Sequence, residues 1–249
     1  MSDPLVSVIT AVYNRAALLP RCLASVTAQD YPNVEHIVVD GGSTDGTVDV
    51  IRARERSLAA WLSAPDRGVY DAWNKGLALA RGEWIAFLGA DDQYRPGAIR
   101  RYVGTAAAHP AAEYISARVE LVYPSGAARL IGCPWNWREF RRHMCVAHVG
   151  SFHHVSLFRR VGSYDIGYRI VGDYELLLRA GAGLRAAFLD AVTARMDAGG
   201  QSDSVAALAE TRRAKLQHAA KNRLGADIDH AVAFAKLQYR HRVWRPLWI

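Results

Sequence analysis

The stretch "EWIAFLGADDQY", residues 83–94, decides how the fold is read. Its apolar run, Trp84 to Leu88, predicts a strand buried on both faces. The run ends in two adjacent carboxylates, Asp91 and Asp92. Like charges repel, and a carboxylate taken from water without a partner costs free energy. Two readings fit such a pair. In one, it caps the next helix or binds surface water. In the other, it holds a divalent cation through hard oxygen ligands, and the cation carries phosphate oxygens. The cation's charge then removes the repulsion.

Working outward, strands and helices alternate. "VSVITAVYN" predicts a strand from Val6 to Ala11. Leu18, Leu19, Cys22, Leu23 and Val26 recur at helical spacing and predict one buried helix face. "VEHIVVD" predicts a second strand, ending at Asp40. "GGSTDGT" is a turn-rich loop in which Thr44 or Asp45 could cap the next helix. "LAAWLSAP" predicts a third strand. "GVYDAWNKGLALARG" predicts a helix closed by Gly82. This alternation implies a mostly parallel central sheet with helices on both faces, an α/β fold. Ligands of such sheets bind at the carboxyl ends of the strands. Asp40, Asp66 and the Asp91–Asp92 pair all follow strand ends, so they should share one rim.

The second half is more mixed. "YISARVELVYPSGAARLIG" predicts two strands around a Pro-Ser-Gly turn, and "GSFHHVSLFRR" a further strand. "GDYELLLRAGAG" predicts a helix stopped by glycines. "DAGGQSD" is the expected boundary between residues 1–202 and a helical extension, 203–249, whose two helices should break near Gly225.

Bulk properties narrow the class. The chain has 249 residues, 51% of them hydrophobic, enough for a sizeable core. Three scattered cysteines, Cys22, Cys133 and Cys145, lack metal-ligand spacing and suggest a reducing compartment. "MSDPLVSVIT" lacks a signal-peptide pattern, and no apolar run approaches the ~18 residues of a spanning helix, so a cytoplasmic location is expected. Net charge is +7. Leu208 to Ile249 holds nine Lys or Arg against three Asp or Glu, nearly all of that excess.

The ordered segments "VSVITAVYN", "VVDGGSTDGT", "SAPDRGVYDAWNKGLALARG", "FLGADDQY" and "GDYELLLR" closely resemble the family 2 glycosyltransferases, which have the GT-A fold. The resemblance spans roughly residues 5–202. The stretch around "PDRGVYDAWNKG" looks most like bacterial enzymes that build exopolysaccharides or related glycans. It implies a metal-dependent, inverting transfer of a sugar from a nucleotide-diphosphate donor, with a UDP-sugar expected, to a hydroxyl of a glycan or lipid-linked acceptor.

Roles follow from the resemblance residue by residue. Thr10 and Tyr13 match the lining of the base pocket. Asp40 matches an acid that contacts base or ribose. Many relatives carry a second Asp next to it; Gly41 stands there here. Asp66 and Arg67 match an acid–base pair near base and diphosphate. Asp91 and Asp92 match the DXD-type motif, with Asp92 on Mn²⁺ or Mg²⁺ and Asp91 as a further metal contact towards the ribose. A full D-x-D would begin at Gly89, so this is the shorter form. Asp173 matches the general base. Gly172 precedes it where relatives often have Glu. Glu175 lies about 200° round the helix from Asp173 and should point elsewhere.

Other features stay open. His153 and His154 cannot both face a site on one strand. His148 resembles a histidine before this strand in relatives and is a candidate acceptor or phosphate contact. Gly199, Gly200 and Ser202 resemble a loop that closes over the diphosphate, or form a plain hinge. Trp135 and Trp137 could stack on sugars or pack in the core. The basic C-terminal helices, ending in Trp244, Leu247, Trp248 and Ile249, suit an anionic membrane surface or packing on the domain or a second subunit. No motif supports nucleic acid. The competing readings are a degenerate nucleotide-sugar-binding protein and a nucleic-acid binder acting through the tail.

Overall fold

Nearly every residue of the first two strands is buried, so both faces of the sheet need cover. The computed structural model describes residues 3–200, 204–219 and 222–244, with side chains as far as Tyr239. The first half alternates as expected: β1 (Val6–Val12), α1 (Leu19–Thr27), β2 (Val34–Asp40), α2 (Thr47–Arg54), β3 (Ala60–Ser63), α3 (Val69–Leu79) and β4 (Trp84–Phe87). There follow β5 (Gln93–Tyr94), α4 (Ala98–Ala108), β6 (Tyr114–Val122), β7 (Ala128–Ile131), α5 (Trp137–Phe140), β8 (Ser151–His154), α6 (Val155–Val161), α7 (Gly172–Ala180), β9 (Ala186–Asp197), α8 (Val205–His218) and α9 (Arg223–Trp244).

The described sheet has the order β3-β2-β1-β4-β8-β6-β9-β5, with β7 beside β6. β3, β2, β1 and β4 run parallel. β8 is antiparallel to both β4 and β6. The parallel four carry their carboxyl ends to one rim, where the loops after Val12, Asp40, Ser63 and Phe87 meet.

Several expectations need correction. Gly82 does not close α3, which ends at Leu79 with Ala80 extended. Gly82 instead lies against the sheet, its N–H donating to Ser7 Oγ at 2.8 Å. A Cβ there would sit 2.8 Å from Leu5 O. The predicted strand 150–160 is half strand and half helix. His154 ends β8, and its ring accepts the Ser156 N–H that opens α6. β9 escaped the sequence reading. Its register against β6 slips near Arg118, which breaks the period-two pattern. α8 ends at His218 and α9 begins at Arg223, so Gly225 lies in the first turn of α9. Asn222 Oδ1 accepts the Gly225 N–H at 2.9 Å and so caps the first turn of α9.

α8 is tied into the main body. Ala207, Ala214 and Ala219 are buried in the cluster that holds α7 and the aromatic side chains of α3. Arg213 stacks on Tyr168 at 3.8 Å, and Lys215 Nζ pairs with Asp229 at 3.0 Å. Much of the described basic charge of α8 therefore serves packing.

Candidate active site

The rim begins with Gly89, Asp91 and Asp92. A Cβ built on Gly89 would lie 2.6 Å from Asp92 Oδ2 and 3.0 Å from Asp91 Oδ1. Both carboxylates thus bend back towards one point, which explains why a glycine holds the place of a first Asp. Asp92 is buried, and its Oδ2 accepts the Gly89 N–H at 3.2 Å. Burial, then the Asp91 charge, push its carboxyl up to about 8. Asp197, at the end of β9, adds to this repulsion. A buried carboxylate so short of donors suits a cation. Among the described residues no cluster of three or more His, Cys, Asp or Glu could hold an ion. The pair could therefore supply only part of a coordination shell, as suits Mg²⁺ or Mn²⁺ shared with substrate phosphates.

Asp40 proves to be a loop organiser. Its carboxylate accepts Gly42 N at 3.1 Å, Ser43 N at 3.0 Å, Ser63 Oγ at 2.6 Å and the Ser43 hydroxyl. Three of these donors reach Oδ2 and one reaches Oδ1, and the residue is fully buried, so most of its acceptor capacity serves the loop. Thr10 also departs from expectation. Its side chain is fully buried, with Oγ1 3.0 Å from His36 Nε2, and points away from the rim into the layer beneath α1. Tyr13, just past β1, is 60% exposed and offers a free ring face at the rim.

Asp66 leans into the space above Gly41. Its Oδ2 would lie 2.5 Å from a Cβ at 41, so any side chain there would collide with it. Its Oδ1 accepts the Gly68 N–H at 2.8 Å. Arg67 is exposed, its guanidinium only loosely held by Asp71 at 4.0 Å. Arg169 stands over Gly68, with Nη1 3.2 Å from a Cβ at that position.

The motif 65–76 is largely a scaffold. Gly76 lets α3 press on β1: a Cβ would meet Ile9 Cγ2 at 2.4 Å. Asn74 exchanges two hydrogen bonds with the Tyr164 backbone. Tyr70 carries the link to the far side. Its hydroxyl donates to Ile170 O at 2.7 Å and lies 3.2 Å from Asp173 Oδ1. Its ring fills the space beside Gly172, where a Cβ would be 2.9 Å from three ring atoms. The missing acid at 172 is thus a steric requirement of Tyr70.

Asp173 opens α7. Burial lifts its carboxyl to about 6, while the Tyr174 N–H and the Tyr70 hydroxyl pull the other way. Oδ1 accepts the Tyr174 N–H at 2.9 Å. Both the Tyr174 N–H and the Tyr70 hydroxyl reach Oδ1. Glu175 is buried on the other side, paired with Arg179 at 2.6 Å and His218 at 3.0 Å.

His148 is partly exposed and is held by aromatic neighbours. Its Nε2 meets Tyr164 Oη at 2.9 Å and its ring stacks on Trp73 at 4.6 Å. Burial pushes it down to about 3, so it is neutral. His153 is buried and His154 partly exposed, on opposite faces as expected. Trp135 packs on Phe140 at 4.4 Å. Gly199 has a φ of 108°, while Ser202 lies outside the described residues. Tyr70 and Asp197 were missed as site neighbours. Both lay within quoted stretches, Tyr70 in "GVYDAWNKGLALARG" and Asp197 in "DAGGQSD", where neither was given a site role.

The sequence profile described as "Glycosyl transferase family 2" matches residues 7–159. A PGL/p-HBAD biosynthesis glycosyltransferase of Mycobacterium bovis (strain BCG / Pasteur 1173P2) is 34% identical over 189 residues, 72% of this chain and 70% of that one. Among solved structures, TarS of S. aureus superposes with a TM-score of 0.70 at 17% identity, over 96% of this chain and 44% of TarS. A shorter TarS, solved in complex with UDP-GlcNAc, gives 0.67 at 17% identity over 98% and 78%. The mannosyltransferase PcManGT from Pyrobaculum calidifontis, in complex with GDP-Man and Mn²⁺, gives 0.62 at 20% identity over 96% and 76%. These likenesses show the fold to be GT-A: a mostly parallel sheet flanked by helices. The profile covers more than half of the chain and takes in β1, β2, the motif 65–76 and the Asp91–Asp92 pair, so the chain belongs to glycosyl transferase family 2.

Proposed function

We propose that the protein transfers a sugar from a UDP-sugar to an acceptor hydroxyl with inversion, in the synthesis of a bacterial glycolipid or polysaccharide. The convergence of Asp91 and Asp92 at Gly89, with Asp92 buried and short of donors, carries this reading. Asp92 and Asp91 would hold Mn²⁺ or Mg²⁺. When bound, the ion would offset charge on the diphosphate leaving group. Tyr13 offers a ring for the base. Asp66, in the space above Gly41, takes the donor-contact role, while Asp40 mainly holds its loop. Arg67 faces the diphosphate. Asp173 Oδ2 accepts the proton of the attacking hydroxyl on the face opposite the leaving group. TarS with UDP-GlcNAc, PcManGT with Mn²⁺ and the PGL relative support the donor class, the ion and a lipid-linked acceptor.

A donor panel tests this directly. UDP-, GDP- and dTDP-sugars are titrated with and without Mn²⁺, and release of the free nucleotide is followed. Mn²⁺-dependent binding of UDP-sugars with slow hydrolysis is the expected result. Binding to none of them sinks the transferase reading and favours a degenerate site.

α9 favours an anionic lipid surface as the place where the acceptor is met. No described helix is long and apolar enough to cross a membrane. Ala226 and Leu237 are buried on one face of α9. On the opposite face Leu224, Ile228, Val232 and Tyr239 are all at least half exposed. Arg223 and Lys236 flank this stripe, and the chain continues through Arg240, Arg242, Trp244, Arg245 and Trp248. Apolar and aromatic residues mixed with cations suit a peripheral contact on the inner leaflet. Ile228→Glu/Val232→Glu should abolish flotation with vesicles containing 30 mol% phosphatidylglycerol and leave donor hydrolysis unchanged. If wild type does not float, but self-associates in sedimentation runs and the variant does not, the stripe is a subunit interface instead.

A further inference from the structure

The segment just before α7 has backbone donors that α7 cannot satisfy. Helix N-termini leave N–H groups unpaired, and Val171, which precedes α7, brings no side-chain cap. The partner comes from α8, 39 residues on. Glu210 accepts Arg169 N at 2.9 Å through Oε1, and Ile170 N at 2.9 Å and Val171 N at 3.1 Å through Oε2. One carboxylate thus gathers three successive N–H groups at the positive end of the helix that carries Asp173. Ile170 is held from both sides: its N–H by Glu210 and its carbonyl by the Tyr70 hydroxyl.

α8 is itself anchored. Arg213 donates to Gly167 O at 2.7 Å, Gln217 meets the Tyr168 hydroxyl, and His218 meets Glu175 of α7 at 3.0 Å. Glu210 therefore stands on a fixed platform, and its reach sets where residues 169–171 run. Asp173 begins two residues later.

We propose that Glu210 is a positioning residue for Asp173, so that the C-terminal helices take part in setting the base rather than hanging from the catalytic body. This rests on Asp173 being the base. Glu210 touches no substrate; it acts through the backbone of residues 169–171.

The test is Glu210→Gln in the full-length chain. The amide keeps one acceptor oxygen but turns an N–H₂ towards N–H groups and removes the charge. Turnover should fall at least tenfold, with donor affinity in the presence of Mn²⁺ within twofold of wild type. Released from its clamp, Asp173 becomes more hydrated, so the acid limb of its pH–turnover profile should move below about 6. Amide exchange at Ile170 and Val171 should quicken. Glu210→Asp, which keeps the charge but shortens the reach, should recover part of the lost turnover. A Glu210→Gln protein that melts lower but has normal turnover and an unmoved pH profile would overturn the proposal, because Glu210 would then only stabilise. Asp173→Asn separates the two failures. If that variant still turns over, the base assignment is wrong; if it is dead while Glu210→Gln is normal, only the positioning role is lost.

Discussion

Asp173→Asn is expected to cut turnover by about 10²–10⁴-fold, the range of a lost general base, while donor affinity stays within about twofold. The reason is geometric. Oδ1 accepts the Tyr174 N–H and lies beside the Tyr70 hydroxyl, so in the proposed mechanism Oδ2 takes the proton. An amide keeps the shape of the group and loses its basicity. The wild-type pH profile adds a second signature. Burial raises this carboxyl to about 6. The base works only when unprotonated, so turnover should be level above that pH and fall tenfold per unit below it. In Asp173→Asn the residual activity should lack this limb. Turnover assays from pH 4.5 to 8 at saturating donor read both effects. Wild-type rates in the Asn variant would move the base elsewhere, and the short distance to Tyr70 would become a packing detail.

Asp92→Asn should weaken Mn²⁺-dependent donor binding at least about 100-fold, the upper end of what losing even an outer-shell partner of a metal ligand costs. The metal-free protein should behave oppositely. Asp92 is buried with one N–H donor and with Asp91 beside it, an arrangement that costs stability when no cation is present. The Asn variant should therefore melt no lower than wild type without metal. Wild type should gain melting temperature when Mn²⁺ and UDP are added together, and the variant should gain little. Calorimetry and thermal melts read the two arms. Unchanged donor affinity with Mn²⁺ in the variant removes the metal assignment.

Three glycines show how departures from a motif can be read in space. At Gly41, Gly89 and Gly172 the sequence lacks acids that the resemblance leads one to expect. In each case another side chain occupies the room: Asp66 at Gly41, the Asp91–Asp92 pair at Gly89, and the Tyr70 ring at Gly172. Gly41 and Gly172, standing where relatives often carry acids, are what make a degenerate site worth weighing. Their surroundings instead put the Asp66 carboxylate and the Tyr70 ring where the absent side chains would begin. Spacing along the chain carries no record of such exchanges, because the replacing residue comes from another element.

The sequence by itself determined the parallel half of the sheet, its acidic rim and the helix that carries Asp173. Those features depend on local pattern: apolar runs of strand length, turn residues between them and helical spacing after them. It did not determine how each polar side chain is used. Thr10 and His148 were expected at the substrate, yet Thr10 is buried against His36 and His148 bonds Tyr164, and Asp40 holds its own loop and Ser63. β9 was lost because its register slips, and Glu210 because its partners lie about 40 residues away. A carboxylate's function depends on which donors reach it and how much water remains. Both are set by elements distant in sequence, so only the tertiary structure decided them.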